Sequence, residues 1–362
     1  MIYLDYSATT PVDARVLQAF LEAGAVCGNY NASNGFGRIV KNKLDDAVAQ
    51  LQMLLDTPNH EIICTSGATE SNNLAIKGVC RRDTGKIITT NFEHASVYAP
   101  ITALQKRGFK VAFVRTQANG LVDVAHLEEL LDEQTCLVSI AAVSSEIGYL
   151  QPIDQLAALV HQKSKAVLHV DATQAIGKME ISLADADLVS FSAHKFYGVK
   201  GVGVLLKRQG IPLMKELVGG HSLSKLRSGT PPTELILSMT KALALWQSEK
   251  KERLQKVALL RSLLEQQLAL LPYVRVNNPG SIAHIANLSV RGKTGEEMQK
   301  FLDENEIAVS VGSACSATPY SRIVEEITAD LQTAKESFRV SLSHLTTEAE
   351  VMQLVECLKE VH

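Results

Sequence analysis

Seven short apolar runs recur between residues 60 and 208, and helical patterns separate them. This alternation constrains the fold more than any other feature of the chain. The runs span residues 61–66, 86–90, 110–116, 136–143, 166–172, 187–193 and 202–208. They are rich in β-branched residues, which is typical of buried strands. Because buried strands that alternate with helices form a mostly parallel sheet covered on both faces, the sequence predicts an α/β fold with a seven-stranded sheet.

The rest of the chain has a different pattern of apolar residues. Residues 234–271 carry apolar side chains at the three- and four-residue spacing of a long helix. Shorter strand candidates follow at 273–277, 285–290, 307–311 and 337–343, with helical stretches at 294–304 and 346–361. A chain of 362 residues exceeds the usual size of one core. We therefore expect a large α/β domain over residues 15–245 and a smaller α+β domain formed by residues 1–14 and 246–362.

The charge balance and the cysteines narrow the class of protein. Thirty-six basic residues against 39 acidic ones give a net charge of −3, which does not favour nucleic acid or an anionic membrane as a partner. The N-terminus lacks the features of a signal peptide, and no apolar run is long enough to span a bilayer. The six cysteines form no Cys-x-x-Cys pair, so we expect reduced thiols and no metal site. These features predict a cytoplasmic globular protein.

Polar residues follow three of the predicted strands, where an open α/β sheet binds ligands. Residues 65–69, Thr-Ser-Gly-Ala-Thr, lead into a helix and could bind phosphate or simply cap that helix. Asp171 ends a buried strand and needs a cationic or hydrogen-bonding partner, unless it serves as a helix cap. Lys195 follows the next strand and is either a solvated charge or a desolvated nucleophile. Together, a phosphate site, an acid and a lysine are what pyridoxal 5'-phosphate requires of a protein.

Motifs along essentially the whole chain resemble the cysteine desulfurases of the class V aminotransferase family. In order, the motifs are YLDYSATTPVD, TSGATESNNLAIKG, EHASV, HVDATQAIGK, SFSAHKFYGVKGVG, RSGT, GSACSA and FRVSLSHLTTEAE. The resemblance implies the fold of a fold-type I pyridoxal-phosphate enzyme. It also implies conversion of L-cysteine to L-alanine.

The resemblance assigns roles to individual residues. Lys195 would form the Schiff base with the cofactor, Asp171 would pair with the pyridine nitrogen, and Gln174 would contact the phenolic oxygen. His94 would stack on the ring and assist proton transfer, and Arg339 would bind the substrate carboxylate. The residues implied to bind the cofactor are Ala68, Thr69, Ser145, Asp171, Gln174, Ser192, His194, Lys195 and, from a second subunit, Thr230.

Cys315 matches the cysteine that accepts sulfur as a persulfide in this family. A site shared between subunits implies a homodimer. The 23 residues between Cys315 and Arg339 resemble the long connection of enzymes that supply iron–sulfur scaffolds and tRNA thiolation. The resemblance therefore implies a sulfur-acceptor protein as a further partner.

Three segments depart from the family pattern. Ser145 stands where the family has an asparagine, and residues 31–37 and 219–230 lack some of the usual residues. Two alternatives follow. One is a different class V reaction, such as that of a selenocysteine lyase or a cysteine lyase, and the other is a degenerate homologue that binds partners.

The remaining histidines and cysteines point to packing. His169 shares a strand face with Asp171, but the lack of a third ligand nearby favours a core histidine over a metal pair. The other cysteines lie in or beside apolar patterns, and we expect them to pack in the interior. They are Cys27, Cys64, Cys80, Cys136 and Cys357.

Overall fold

A computed structural model describes residues 1–81, 84–312 and 320–361 of the chain. The strands are β1 (Ile2–Tyr3), β2 (His60–Thr65), β3 (Lys86–Thr89), β4 (Lys110–Phe113), β5 (Thr135–Ala141), β6 (Val167–Asp171), β7 (Leu188–Ser192), β8 (Gly203–Arg208), β9 (Val274–Val276), β10 (Ile285–Val290), β11 (Ile307–Ala308) and β12 (Ser337–Ser341). The helices are α1 (Ala14–Gly24), α2 (Gly35–Leu55), α3 (Ala68–Val79), α4 (Ala95–Lys106), α5 (Val124–Leu130), α6 (Ile153–Lys163), α7 (Thr233–Leu268), α8 (Gly295–Glu304), α9 (Arg322–Thr328), α10 (Leu331–Glu336) and α11 (Glu348–Lys359).

The seven predicted strands form one sheet, in the order β2-β8-β7-β6-β5-β3-β4. All neighbouring pairs are parallel except those of β8, which runs antiparallel to both β2 and β7. β5, β6 and β7 are buried almost throughout. This burial explains why they appear in the sequence as continuous apolar runs rather than alternating ones. The prediction of a mostly parallel seven-stranded sheet is confirmed.

The long helical pattern forms one helix, α7, of 36 residues. At 1.5 Å per residue it is about 54 Å long. It packs against α1 and α2 and also contacts α11 and β9. Ile236, Met239 and Trp246 from its first half join the core around the large sheet. Leu260 and Leu264 join a second core with β10 and β12, so one helix connects the two cores.

The second core lies around a three-stranded antiparallel sheet of order β12-β10-β9 and the parallel pair β1-β11. Ile2 and Leu4 belong to this core together with residues from the last hundred positions of the chain. Ile323, Val324 and Ile327 of α9 instead pack on the core of the large sheet. The domain division at residues 15–245 therefore stays a prediction.

The sequence predicts that His169 and the five cysteines other than Cys315 pack in the interior. His169 is fully buried between the hydroxyls of Ser139 and Ser190, at 2.8 and 3.0 Å from its two ring nitrogens, as a core histidine would be. Cys80 and Cys357 are buried as expected. The expectation for Cys27 was wrong, because it lies exposed in the segment between α1 and α2. Helix α1 ends at Gly24, so Cys27 lies beyond the helix whose apolar pattern suggested that it was buried.

Two further properties concern the described residues only. Within residues 1–81, 84–312 and 320–361, no helix is both long and apolar enough to cross a membrane. The same ranges contain no cluster of three or more histidine, cysteine or acidic side chains that could hold a metal ion.

Candidate active site

A cavity of about 410 Å³ lies at the carboxyl ends of β2, β6 and β7. This is the edge at which open α/β sheets bind ligands. Nine of the predicted site residues line it, namely Ala68, Thr69, His94, Ser145, Asp171, Gln174, Ser192, His194 and Lys195. Thr230 and Arg339 are not among the lining residues. Cys315 lies outside the residues that the structure describes.

One end of the cavity is the N-terminus of α3. Gly67 precedes this helix with φ of +152°, and no side chain caps the first turn. The amide groups of Ala68 and Thr69 therefore begin the helix without an internal acceptor, as an anion site requires. A Cβ on Gly203 would lie 2.7 Å from Gly67 Cα, so a glycine in β8 lets this loop approach the sheet. The hydroxyl-bearing Ser192 lines the same end.

Lys195 ends a short 3₁₀ turn that follows β7. Its Nζ donates hydrogen bonds to the carbonyl oxygens of Ser7 and Ala8, at 2.7 and 2.8 Å. Burial, reinforced by the positive charge of Arg339, lowers the pKa of Lys195 to about 8. About one Lys195 amine in ten is therefore neutral at pH 7, far more than for an ordinary lysine, which suits a nucleophile.

Asp171 is a buried carboxylate at the end of β6, with an exposed fraction of 6%. Asn72 Nδ2 donates to its Oδ2 at 2.8 Å, and the Thr173 amide donates to its Oδ1 at 3.0 Å. Within the described ranges, no lysine, arginine or histidine forms an ion pair with it. A buried carboxylate that lines a cavity without a cationic partner fits a cationic ligand group.

His94 is linked to Asp171 by two hydrogen-bonded side chains. Asn72 Nδ2 donates to Ser96 Oγ at 2.8 Å as well as to Asp171. Ser96 Oγ lies 2.8 Å from His94 Nδ1, and the Ser96 amide donates to the same nitrogen at 3.1 Å. Because Nδ1 accepts and burial lowers the pKa of His94, the neutral ring carries its proton on Nε2.

Gln174 and His194 complete the polar wall. Gln174 Nε2 donates to the Ser7 carbonyl at 3.0 Å, and its Oε1 accepts from Lys178 at 2.7 Å. His194 Nδ1 lies 3.1 Å from Thr9 Oγ1. Burial and the neighbouring lysines lower the pKa of His194 to about 4, so this ring is neutral at ordinary pH.

Arg339 lies behind this wall in β12 and is 5% exposed. Its Nη2 donates to Asp5 Oδ1 at 2.7 Å, and its Nη1 donates to the Ser145 carbonyl at 2.8 Å. The Nε hydrogen has no partner although it is buried. Nε is thus a buried donor without a partner, on a guanidinium that does not itself line the cavity.

Thr230 is exposed and lies in the segment between β8 and α7. In the same segment, Arg227 Nε donates to Glu70 Oε1 of α3 at 3.0 Å. This contact ties the segment to the helix whose N-terminus forms the anion end of the cavity. The exposed position of Thr230 leaves it accessible to another molecule, and its role across subunits stays a prediction.

Sequence reasoning missed several residues that position the site. Asn72 and Ser96 link Asp171 to His94, and Asp5 orients Arg339. The available signal for Asn72 was its place one helical turn after Thr69, on a helix that begins at the predicted anion site. No local signal pairs Asp5 with Arg339, which lies 334 positions away.

The arrangement fits pyridoxal 5'-phosphate. An uncapped helix N-terminus suits its phosphate, the unpaired carboxylate of Asp171 suits a protonated pyridine nitrogen, and the partly neutral Lys195 suits its aldehyde. All three groups line one cavity.

Comparison with known proteins supports this chemistry. Residues 2–354 match the family described as Aminotransferase class-V. The chain is 38% identical to "Cysteine desulfurase IscS" of Vesicomyosocius okutanii subsp. Calyptogena okutanii (strain HA), over 99% of this chain and 91% of the relative. It superposes on a solved "NifS-like protein" with a TM-score of 0.92 and 34% identity, covering 99% and 98% of the two chains. A structure described as "SspA in complex with cysteine" has a TM-score of 0.83 and 28% identity, over 96% of this chain and 100% of that one.

Proposed function

The chain belongs to the aminotransferase class-V family and is a cysteine desulfurase that uses pyridoxal 5'-phosphate, and we propose that it passes the sulfur of L-cysteine to Cys315. The observation that supports this proposal most directly is that Lys195 and the unpaired carboxylate of Asp171 line one cavity with an uncapped helix N-terminus. We infer the following roles for the residues of this cavity.

Five residues would hold the cofactor at its two ends. The amides of Ala68 and Thr69 and the side chains of Ser192 and His194 would bind the phosphate. Asp171 would hold a proton on the pyridine nitrogen, supported by its hydrogen bond from the Asn72 side chain. When bound, pyridoxal phosphate attaches covalently to an amine and draws electrons from the attached amino acid, which weakens bonds at its Cα and Cβ.

Two residues would move protons. Lys195 Nζ has a pKa of about 8, so it can both give and take a proton near neutral pH. His94 would stack on the ring and present its Nε2 hydrogen, since Nδ1 is occupied by the Ser96 amide and hydroxyl. Gln174 and Ser145 line the same cavity and would contact the phenolic oxygen side of the cofactor.

Arg339 would bind the substrate carboxylate. Asp5 and the Ser145 carbonyl fix the plane of its guanidinium, and the unpaired Nε hydrogen remains to be used. A positioned substrate reacts faster because its orientation is set before the reaction begins. Binding of the substrate carboxylate would also explain why the positive charge of Arg339 lies close enough to Lys195 to lower its pKa.

Cys315 would receive the sulfur as a thiolate. Its sulfur attacks the sulfur of the bound cysteine, so that an S–S bond forms and the substrate Cβ–S bond breaks. The electron pair of the broken bond stays on the substrate carbon, which takes up a proton and leaves as L-alanine. The persulfide would then pass to an acceptor protein, either an iron–sulfur scaffold or a tRNA-thiolation enzyme. We infer a homodimer, in which Thr230 of each subunit would reach the partner's phosphate site, and a cytoplasmic location.

The test is an incubation of the cofactor-loaded protein with L-cysteine and a thiol reductant. Equal amounts of alanine and sulfide are expected from the wild type, and Cys315→Ala should lose both products. Cys27→Ala is the matched control, because Cys27 is an exposed cysteine outside the cavity. Release of pyruvate, or full activity of Cys315→Ala, would contradict the proposed route. Lys195→Ala should also lose the visible absorption of the bound cofactor.

A further inference from the structure

A second cavity, of about 240 Å³, lies between α7 and the segments that flank β10 and β12. We call it the junction cleft. Its wall includes Lys178, Tyr197, Trp246, Ala283, His284 and Leu342. None of these residues lines the candidate active site. The junction cleft is therefore a separate cavity with an unassigned occupant.

The wall of the junction cleft is mostly apolar. Trp246, Tyr197 and Leu342 are 6%, 8% and 2% exposed and present rings and methyl groups to the cavity. An apolar cavity of about 150 Å³ in a protein accepts benzene. A cleft of 240 Å³ therefore has room for an aromatic ring with one or two polar substituents.

His284 provides the first polar contact. It is 8% exposed, and its side chain donates to the carbonyl of Gln174 while its Nε2 has no partner. Burial keeps the pKa of His284 well below its usual range, so the ring is neutral. A neutral imidazole that donates through one nitrogen accepts through the other. The buried Nε2 therefore needs a hydrogen-bond donor.

Lys178 provides the second polar contact. Its Nζ donates to two neutral oxygens, Gln174 Oε1 at 2.7 Å and the Tyr6 carbonyl at 3.5 Å. Among the residues that the structure describes, no acidic side chain forms an ion pair with it. Burial, reinforced by the positive charges of Lys195 and Arg339, lowers the pKa of Lys178 well below its usual range, because the ammonium form has no counter-charge. In that form Nζ carries three hydrogens, so one remains for an acceptor in the cleft. A carboxylate would supply the counter-charge that this lysine lacks.

The two contacts and the wall define one chemical class. We propose that the junction cleft binds a small aromatic hydroxy acid, whose hydroxyl donates to His284 Nε2, whose carboxylate accepts from Lys178 Nζ and whose ring packs on Trp246. Water could satisfy His284 and Lys178, but it would leave the apolar wall wetted at a cost in free energy.

An occupant of the junction cleft would be linked to the active site. Lys178 binds Gln174, Gln174 binds the Ser7 carbonyl, and the same carbonyl accepts from Lys195 at 2.7 Å. Tyr197 of the cleft wall follows Lys195 by two positions. A carboxylate on Lys178 would thus change the charge next to residues that surround the cofactor.

Trp246 allows a direct test, because it is the single tryptophan of the chain. Holoenzyme labelled with 5-fluorotryptophan gives one fluorine resonance, which reports on the junction cleft. Titration with 4-hydroxybenzoate should displace this resonance saturably. Benzoate lacks the hydroxyl and phenol lacks the carboxylate, so each should bind about tenfold more weakly. The absence of a saturable displacement by 4-hydroxybenzoate would overturn the proposal in favour of a cleft filled by water.

Two variants locate the ligand. Lys178→Met should weaken the binding of 4-hydroxybenzoate about tenfold. Lys241→Met, an exposed lysine of the same helix as Trp246, should leave it unchanged. Ala283→Phe fills the partly exposed rim of the cleft and should abolish binding, and it decides the question if Lys178→Met fails to fold. Unchanged affinity for 4-hydroxybenzoate in Ala283→Phe would place the ligand elsewhere. Displacement of bound 4-hydroxybenzoate by L-cysteine with no change in the Trp246 resonance would do the same. Either result would overturn the proposal.

Discussion

The titration of Lys195 predicts how the cofactor-free protein captures pyridoxal phosphate at different pH values. Capture requires the neutral amine. With a pKa of about 8, about one Lys195 amine in ten is neutral at pH 7. An ordinary lysine titrates near 10.4, and about one in 2,500 would be neutral at that pH. The rate of capture should therefore rise about tenfold per pH unit up to pH 8 and become level above it.

Arg339→Met is the perturbation that tests the cause of the low pKa. The Arg339 charge opposes protonation of Lys195, whereas the carboxylate of Asp5 favours it. Removal of Arg339 also leaves Asp5 without its ion-pair partner. Both changes act in the same direction and should move the midpoint of the rate profile above pH 8. Arg291→Met, which removes an exposed arginine, is the matched control and should leave the midpoint in place.

The assay is stopped-flow absorbance of the cofactor mixed with cofactor-free protein between pH 6 and 10, with Lys195→Ala as the blank. A wild-type rate that still rises tenfold per pH unit between pH 9 and 10 would refute the low pKa of Lys195. A midpoint that does not move in Arg339→Met would refute the electrostatic explanation while it leaves burial as the cause.

Three further substitutions test the remaining parts of the site. Asp171→Asn should lower kcat/KM for cysteine at least about 100-fold, because it leaves the protonated pyridine nitrogen of the cofactor buried without its carboxylate partner, at a cost of about 3–5 kcal/mol. A loss of only a few-fold in steady-state assays would contradict the role of Asp171. Ser96→Ala removes one hydrogen bond to His94 and should lower kcat about two- to tenfold with cofactor affinity unchanged in equilibrium dialysis. Gly203→Ala should destabilise the protein by about 1–3 kcal/mol in urea unfolding, because its Cβ would overlap the facing backbone, whereas Gly220→Ala has no neighbour within 4 Å and should unfold like the wild type.

Much of the fold follows from local patterns. The central strands β5, β6 and β7 are buried on both faces, so their apolar runs stand out from the polar loops around them. The direction of β8 could not be predicted in this way, because antiparallel pairing with β2 and β7 leaves no mark on its composition. An alternation of strands and helices predicts parallel pairing, and β8 is the exception that only the structure reveals.

The site was predictable where strand ends carry chemistry. Asp171 and Lys195 each follow a buried run, and an ionisable residue at such a place needs a partner or a function. Asn72 was not predictable by the same reasoning, because an asparagine inside a helix is unremarkable until its distance to a buried carboxylate is known. Asp5 and Arg339 lie at opposite ends of the chain, and only folding brings them within 2.7 Å.

The N-terminal segment explains why distant motifs depend on each other. Leu4 is buried in the second core, and the next residue, Asp5, orients Arg339. The carbonyl oxygens of Ser7 and Ala8 then fix Lys195 Nζ, and the Thr10 hydroxyl donates to the carbonyl of His194. Backbone carbonyls cannot be removed by substitution, so their positions depend on the anchors at both ends of the segment. A change at Asp5 should therefore alter the position of Lys195 Nζ as well as that of Arg339, although Asp5 forms no hydrogen bond with Lys195.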